Sequence, residues 1–114
     1  KDGLPWASGN GKGIGEVISI KEFENKNPSE LKLLNGYQDK NHPDYYEKNS
    51  RVKKIKITNT DTKKSKTIKV KDRKEEQLFQ IDDLGPGQNY DIEILAVYPG
   101  KKYNDLCIQY FVVE

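Results

Sequence analysis

The chain contains no methionine, one cysteine, one histidine and one tryptophan among 114 residues. A lone Cys107 forms no internal disulfide and assigns no redox compartment. A structural zinc site draws on four Cys or His ligands, more than this chain has. Any nucleophilic triad would have to recruit His42, which sits before Pro43 in a polar stretch and reads as a solvated surface group. No run of eighteen apolar residues is present, so no helical membrane span is expected. The opening "KDGLPW" lacks the apolar stretch of a signal peptide. Aspartates at 2, 39, 44 and 105 are scattered, without the spacing of an EF-type loop, and no metal is predicted.

What is present is charge and alternation. Apolar residues make up 33% of the chain and charged residues another 33%, enough for one modest core in a single domain spanning 1–114. The net charge of +2 hides an uneven distribution. Residues 51–75 hold eleven basic and three acidic groups, whereas residues 76–114 hold two basic and seven acidic.

Period-2 patterning dominates, and no helix is predicted. "EVISIKEF" and "ELKLLNG" read as two short strands separated by the turn-rich "ENKNPS". "RVKKIKITN" alternates Ile55 and Ile57 against Lys54, Lys56 and Thr58. "SKTIKVKD" repeats the pattern with Ile68 and Val70 against Thr67, Lys69 and Lys71. The polar connector "NTDTKKS" predicts an antiparallel hairpin between these two. "EQLFQIDDL" is a weaker strand closed by "GPG". "YDIEILAVYPG" alternates Tyr90, Ile92, Ile94, Ala96 and Tyr98 against Asp91 and Glu93, the clearest strand of all. "LCIQYFVVE" is rich in β-formers on both faces, and its inner face is not assignable. Seven regularly spaced strands predict an all-β sandwich.

The glycine-rich "GNGKGIGEVISI" invites comparison with a phosphate-binding loop. A Walker loop needs Gly-x4-Gly-Lys-Ser/Thr followed by a helix that aims backbone N–H groups at phosphate. Here Gly13 follows the lysine and a strand follows the glycines. The dinucleotide fingerprint also needs a strand before and a helix after. Gly11, Gly13 and Gly15 are read instead as residues allowing unusual backbone angles or close approach where the loop leads into a sheet.

Four blocks in order, "GKGIGEVISI", "LLNGYQ", "YYEKNSRVKKIKI" and "ILAVYPGKKYNDLCI", resemble the discoidin-like domain associated with bacterial NAD glycohydrolases. This NADase-type translocation or glycan-binding domain is related to the coagulation-factor C-type and galactose-binding-like folds. The resemblance spans about residues 6–112. It implies an eight-stranded jelly-roll β-sandwich with ligand loops clustered at one end. It also implies a non-catalytic module of secreted or surface proteins, frequently bacterial, that is part of a larger protein and needs no cofactor. Any NAD-cleaving chemistry would reside in another domain. Family members usually carry an extra strand and a short Asp/Gly-rich loop before the tryptophan. Only five residues precede Trp6 here, so that first strand is expected to be missing from this chain.

The long stretch between the second and third strands is the first place to look for a site, because long loops without regular structure often carry function. Tyr37, Gln38, Asn41, Asp44, Tyr45 and Tyr46 offer rings for stacking and polar groups for sugar hydroxyls. Sandwich connectivity brings "YPGKKYNDL" to the same end, adding Lys101, Tyr103 and Asn104. A glycan or other cell-surface ligand is the expected partner, at the outside of a bacterial cell or in a secreted protein. A protein-interaction or structural domain without a sugar site is the alternative. The competing structural readings are concrete: Asn35 and Asn49 holding loop shape, Arg51 tying the loop to a carboxylate or carbonyl, Asp105 forming a turn or pairing with Arg51. Trp6 is read as packing beneath the loop end rather than stacking on sugar.

Lys54, Lys56, Lys69 and Lys71 share one hairpin face. A heparin-like glycan, an anionic lipid or nucleic acid is the competing partner for that face, which is read instead as solvated and edge-protecting, neutralised in part by Asp91 and Glu93. No aromatic residue interrupts it, which disfavours nucleic acid, where bases stack on rings.

Overall fold

The computed structural model describes residues 6–7 and 13–114 and consists of two four-stranded antiparallel sheets packed face to face. The strands are β1 (Trp6–Ala7), β2 (Val17–Lys21), β3 (Glu30–Asn35), β4 (Arg51–Asn59), β5 (Lys64–Lys69), β6 (Gln77–Gln80), β7 (Asn89–Tyr98) and β8 (Cys107–Val113). One sheet runs β1-β8-β3-β6 and the other β2-β7-β4-β5. The all-β sandwich expected from alternation is the observed architecture.

Alternation places the core. Leu31, Leu33, Ile108 and Val113 project inward from one sheet. Val52, Ile55, Ile57, Ile68, Tyr90, Ile92 and Ile94 meet them from the other. Most of these side chains are fully buried, each contributing about 1.5–3 kcal/mol relative to exposure. The predicted hairpin is present: Ile55 faces Ile68 and Lys54 faces Lys69 across β4 and β5. On its other side β4 sets Lys56 opposite Glu93 and Thr58 opposite Asp91 of β7, so the acidic strand does flank the basic one.

Three expectations are corrected. Among the described residues the strands number eight rather than seven, because Trp6–Ala7 pair with Ile108 and Cys107 on the edge of β8. A two-residue strand has no period to read. The stretch 37–50 is not devoid of regular structure: one helical turn, α1 (Tyr45–Lys48), lies within it. The weak strand at 76–84 is shorter than its sequence suggests, with a 3₁₀ turn at Asp82–Leu84.

The glycine segment leads into a strand and not a helix. Gly13 and Gly15 have φ of +72° and +89°, a region that L side chains seldom adopt. At Gly13 there is also no room: an added Cβ would lie 2.6 Å from Leu106 Cδ2. The Gly15 N–H donates to the Ile94 carbonyl at 2.8 Å, docking the loop on β7. Gly11 and the Trp6 side chain lie outside the described residues.

Candidate functional site

The end of the sandwich that carries residues 37–50 is built around Arg51, the first residue of β4. Its Nε and Nη2 donate to the Asp72 carboxylate at 3.1 and 2.8 Å. Its Nη1 donates to the carbonyls of Tyr46, Glu47 and Asn49 at 3.4, 3.2 and 3.1 Å. A cation at the carboxyl end of α1 thereby satisfies carbonyls the short helix leaves unpaired. The Tyr46 hydroxyl donates to the same carboxylate at 2.8 Å. Arg51 thus ties the loop down, as expected, but through Asp72 and not Asp105.

This cluster is electrostatically self-consistent. The hydrogen bonds from Arg51 hold the Asp72 carboxyl below the usual carboxylate range. Burial, reinforced by the Asp72 carboxylate, pushes the Tyr46 phenol up. Charge-assisted hydrogen bonds of this kind are about twice as strong as neutral ones.

The second loop is stitched to the first by backbone. Ser50 N–H donates to the Asp105 carbonyl at 2.9 Å, and Cys107 N–H to the Ser50 carbonyl at 3.0 Å. Lys101 N–H reaches the Glu47 carbonyl, and Lys102 and Tyr103 N–H both reach the Lys48 carbonyl, at 2.9, 3.1 and 2.8 Å. The end of α1 therefore orders residues 98–105, and the two loops form one rim.

Five of the candidate side chains fall in two recesses, and Asn41, Asp44, Lys101 and Asn104 line neither. Tyr37, Tyr45 and Tyr103, with Asn49 and Asp105, line a recess of about 210 Å³. The Tyr37 and Tyr45 rings stand nearly perpendicular, centroids 5.3 Å apart at 81°. His42, exposed as expected, stacks on Tyr45 at 4.5 Å and 8°. Tyr103 is 45% exposed, and the Lys102 ammonium lies 5.4 Å from its ring centroid. Asn49 Nδ2 donates to the Tyr45 carbonyl at 3.0 Å, the loop-holding role expected of it.

Gln38 and Tyr46 line a different recess of about 320 Å³ with Leu34, Pro43 and Lys74. Gln38 is largely committed, its Nε2 donating to the carbonyls of Asn35 and Lys74. Tyr46 is buried and serves the Arg51–Asp72 cluster. Asp44 pairs with Lys48 at 2.7 Å and Lys101 with Glu47 at 3.3 Å. Asn41 and Asn104 are exposed, outside both recesses.

Asp105 is the recess residue that sequence reasoning assigned elsewhere. Its position in "YNDL", two residues before the strand that starts at Cys107, is the signal that places it at the rim. No group of three His, Cys, Asp or Glu able to hold a metal occurs among the described residues. No helix among them is long and apolar enough to cross a membrane.

Residues 4–113 match the family model of the NAD glycohydrolase translocation F5/8 type C domain. No curated protein and no solved structure gives a match.

Proposed function

The chain belongs to the NAD glycohydrolase translocation F5/8 type C domain family, and from that premise we propose that it is a non-catalytic recognition module whose rim, residues 37–50 and 98–105, captures a glycan or another cell-surface ligand. The module is of translocation type rather than a catalytic domain. Its place is on the outside of a bacterial cell or in a secreted protein, and bond-breaking belongs to other parts of the parent protein.

One observation carries this reading. Three tyrosines from two loops distant in sequence line a single recess, held there by backbone hydrogen bonds and the Arg51 cluster. Preorganised aromatic groups at a rim bind with little ordering cost. Tyr103, the most exposed of the three, is the natural stacking platform, because His42 covers one face of Tyr45. The expected test is a broad glycan array probed with the chain, then with Tyr45→Ala and Tyr103→Ala. Hits lost in both variants support the reading, and an empty array with unchanged variants overturns it.

A second reading, a protein-interaction surface, draws on Val17, exposed at 55%, and Phe23, exposed at 77%. Both lie on or just after β2, away from the rim. Retention of a protein partner by the Tyr103→Ala variant would favour it.

A further inference from the structure

We propose that the recess formed by Tyr37, Tyr45, Tyr103, Asn49 and Asp105 binds a quaternary ammonium group, the chemistry of choline. The inference rests on the reading of this rim as the capture site and names the class of group captured.

The lining argues for a cation. Asp105 is half-buried and its carboxylate accepts no hydrogen bond and joins no ion pair among the described residues. Its backbone carbonyl is used, accepting from Ser50, but the charged end is left free. Of the other rim carboxylates, Asp44 pairs with Lys48 and Glu47 with Lys101, and Asp39, which lines the other recess, accepts the Asn41 N–H. A negative charge partly withdrawn from water, with no cation of its own, is an electrostatic vacancy of one sign.

The rest of the lining argues for a quaternary cation. Aromatic faces attract positive charge through the ring quadrupole but cannot replace the hydrogen bonds a primary ammonium makes to water. A quaternary group spreads its charge over methyls and needs no such bonds. The Tyr37 and Tyr45 rings, edge to face with centroids 5.3 Å apart, and Tyr103 from the other loop all line the recess. Asn49 would be the one amide donor for a neutral sugar, and its Nδ2 is committed to the Tyr45 carbonyl. The size fits as well. About 210 Å³ lies below the roughly 300–1,000 Å³ of pockets for drug-sized ligands and suits a compact headgroup.

The molecule already contains one such contact. The Lys102 ammonium rests 5.4 Å from the Tyr103 centroid. Lys102 is exposed, so it can swing away, and it acts as a weak internal competitor for the ring. Lys48, the other nearby cation, is held by Asp44.

Choline chloride is titrated into the isotope-labelled chain, with 3,3-dimethylbutanol as the uncharged isostere and galactose as a neutral sugar, following backbone amides by NMR. Choline is expected to shift the amides of 37–50 and 98–105 with a dissociation constant on the order of 1 mM. The isostere should bind at least fivefold more weakly, since it lacks the charge. Tyr103→Ala and Asp105→Asn should each weaken choline about fivefold or more, Tyr103→Phe should restore it, and Lys102→Ala should tighten it. Tyr103 and Lys102 are exposed, so neither substitution threatens folding. Phosphatidylcholine vesicles and a soluble phosphocholine–albumin conjugate distinguish the sources. Retention on vesicles marks a lipid headgroup, and capture of the conjugate alone marks a choline-bearing polymer. Equal binding of choline and its isostere, or no effect of Asp105→Asn, overturns the proposal. Galactose shifting the rim while choline does not overturns it and leaves the capture reading standing. Silence from both ligands sinks the two together.

Discussion

The buried side-chain amide of Asn35 forms a two-way hydrogen-bonded pair with the backbone of Val52, Nδ2 donating to the Val52 carbonyl at 2.9 Å and Oδ1 accepting from its N–H at 3.0 Å. Asn35 ends β3 in one sheet and Val52 lies in β4 of the other, so a side chain imitates a peptide group across the sandwich. Gln77 repeats the device with both backbone groups of Lys71, at 2.8 and 3.0 Å. Each pair stands at the rim end, beside the residues that anchor the loops.

Asn35→Asp tests the pair without changing shape. The acceptor for the Val52 N–H survives, but the donor to its carbonyl is lost and a charge is buried. The expected cost is about 3 kcal/mol, read from the urea midpoint at neutral pH. Stability should recover in part on acidification, as the carboxyl gains a proton. An unchanged midpoint would mean that the interface does not depend on this pair.

The Arg51–Asp72–Tyr46 cluster predicts losses at both ends of the pH scale. Asp72 has a lowered folded-state pKa, so its contribution is complete above the unfolded carboxylate value of about 4 and fades as pH falls through the lower folded value. Tyr46 has a raised one, so its contribution is complete below about 10 and is lost as pH rises beyond. Asp72→Asn should flatten the acid limb of a stability–pH profile, and Tyr46→Phe the alkaline limb. Profiles parallel to the native one would refute the linkage.

The hairpin, the two-sheet architecture and the shared end of the loops were legible because Ile55, Ile57, Ile92 and Ile94 alternate strictly with polar residues. The inner face of β8 was not, and a bulge explains why. Leu34 pairs with Tyr110 but Asn35 with Ile108, so Gln109 is skipped and the alternation changes phase within the strand. Ile108 and Val113 are therefore both buried although five positions apart. At the site, Arg51 was readable as an anchor, but choosing Asp72 over Asp105 requires knowing where the chain goes after β5. The division of Tyr45 from Tyr46 depends on a single helical turn too short to leave a periodic trace.

Gly13→Ala and Gly15→Ala separate two causes of glycine preference. Both backbones have positive φ, but only at Gly13 does a Cβ meet neighbouring atoms, whereas at Gly15 nothing lies within 4 Å. Gly15→Ala should cost about 1 kcal/mol from backbone strain alone. Gly13→Ala should cost about 3 kcal/mol, since Leu106 must also move. Equal costs in chemical denaturation would show that Leu106 yields freely.

Lys54 faces Lys69 directly across β4 and β5, and neither has an ion-pair partner among the described residues. Like charges opposite one another destabilise a ladder by a few tenths of a kcal/mol. Lys69→Glu should therefore raise stability by about 0.5 kcal/mol in low salt. The gain should vanish in 1 M salt, where the screening length is about 3 Å. A loss of stability instead would point to a contact made by Lys69 itself.

Cys107 offers a probe of how the rim opens. Its side chain is buried, and burial, with the Asp105 carboxylate nearby, pushes its thiol up to about 11. At pH 8 on the order of one thiol in a thousand would be ionised even if a reagent could reach it. Reaction with a thiol-specific disulfide should therefore proceed only through opening of the β8 start, whose N–H is bonded to Ser50. Arg51→Lys keeps the charge but loses the bidentate grip on Asp72 and the carbonyl contacts, so it should speed labelling at least tenfold while leaving the urea midpoint of the core less affected. If labelling instead follows global stability alone across variants, the rim and the core open as one unit.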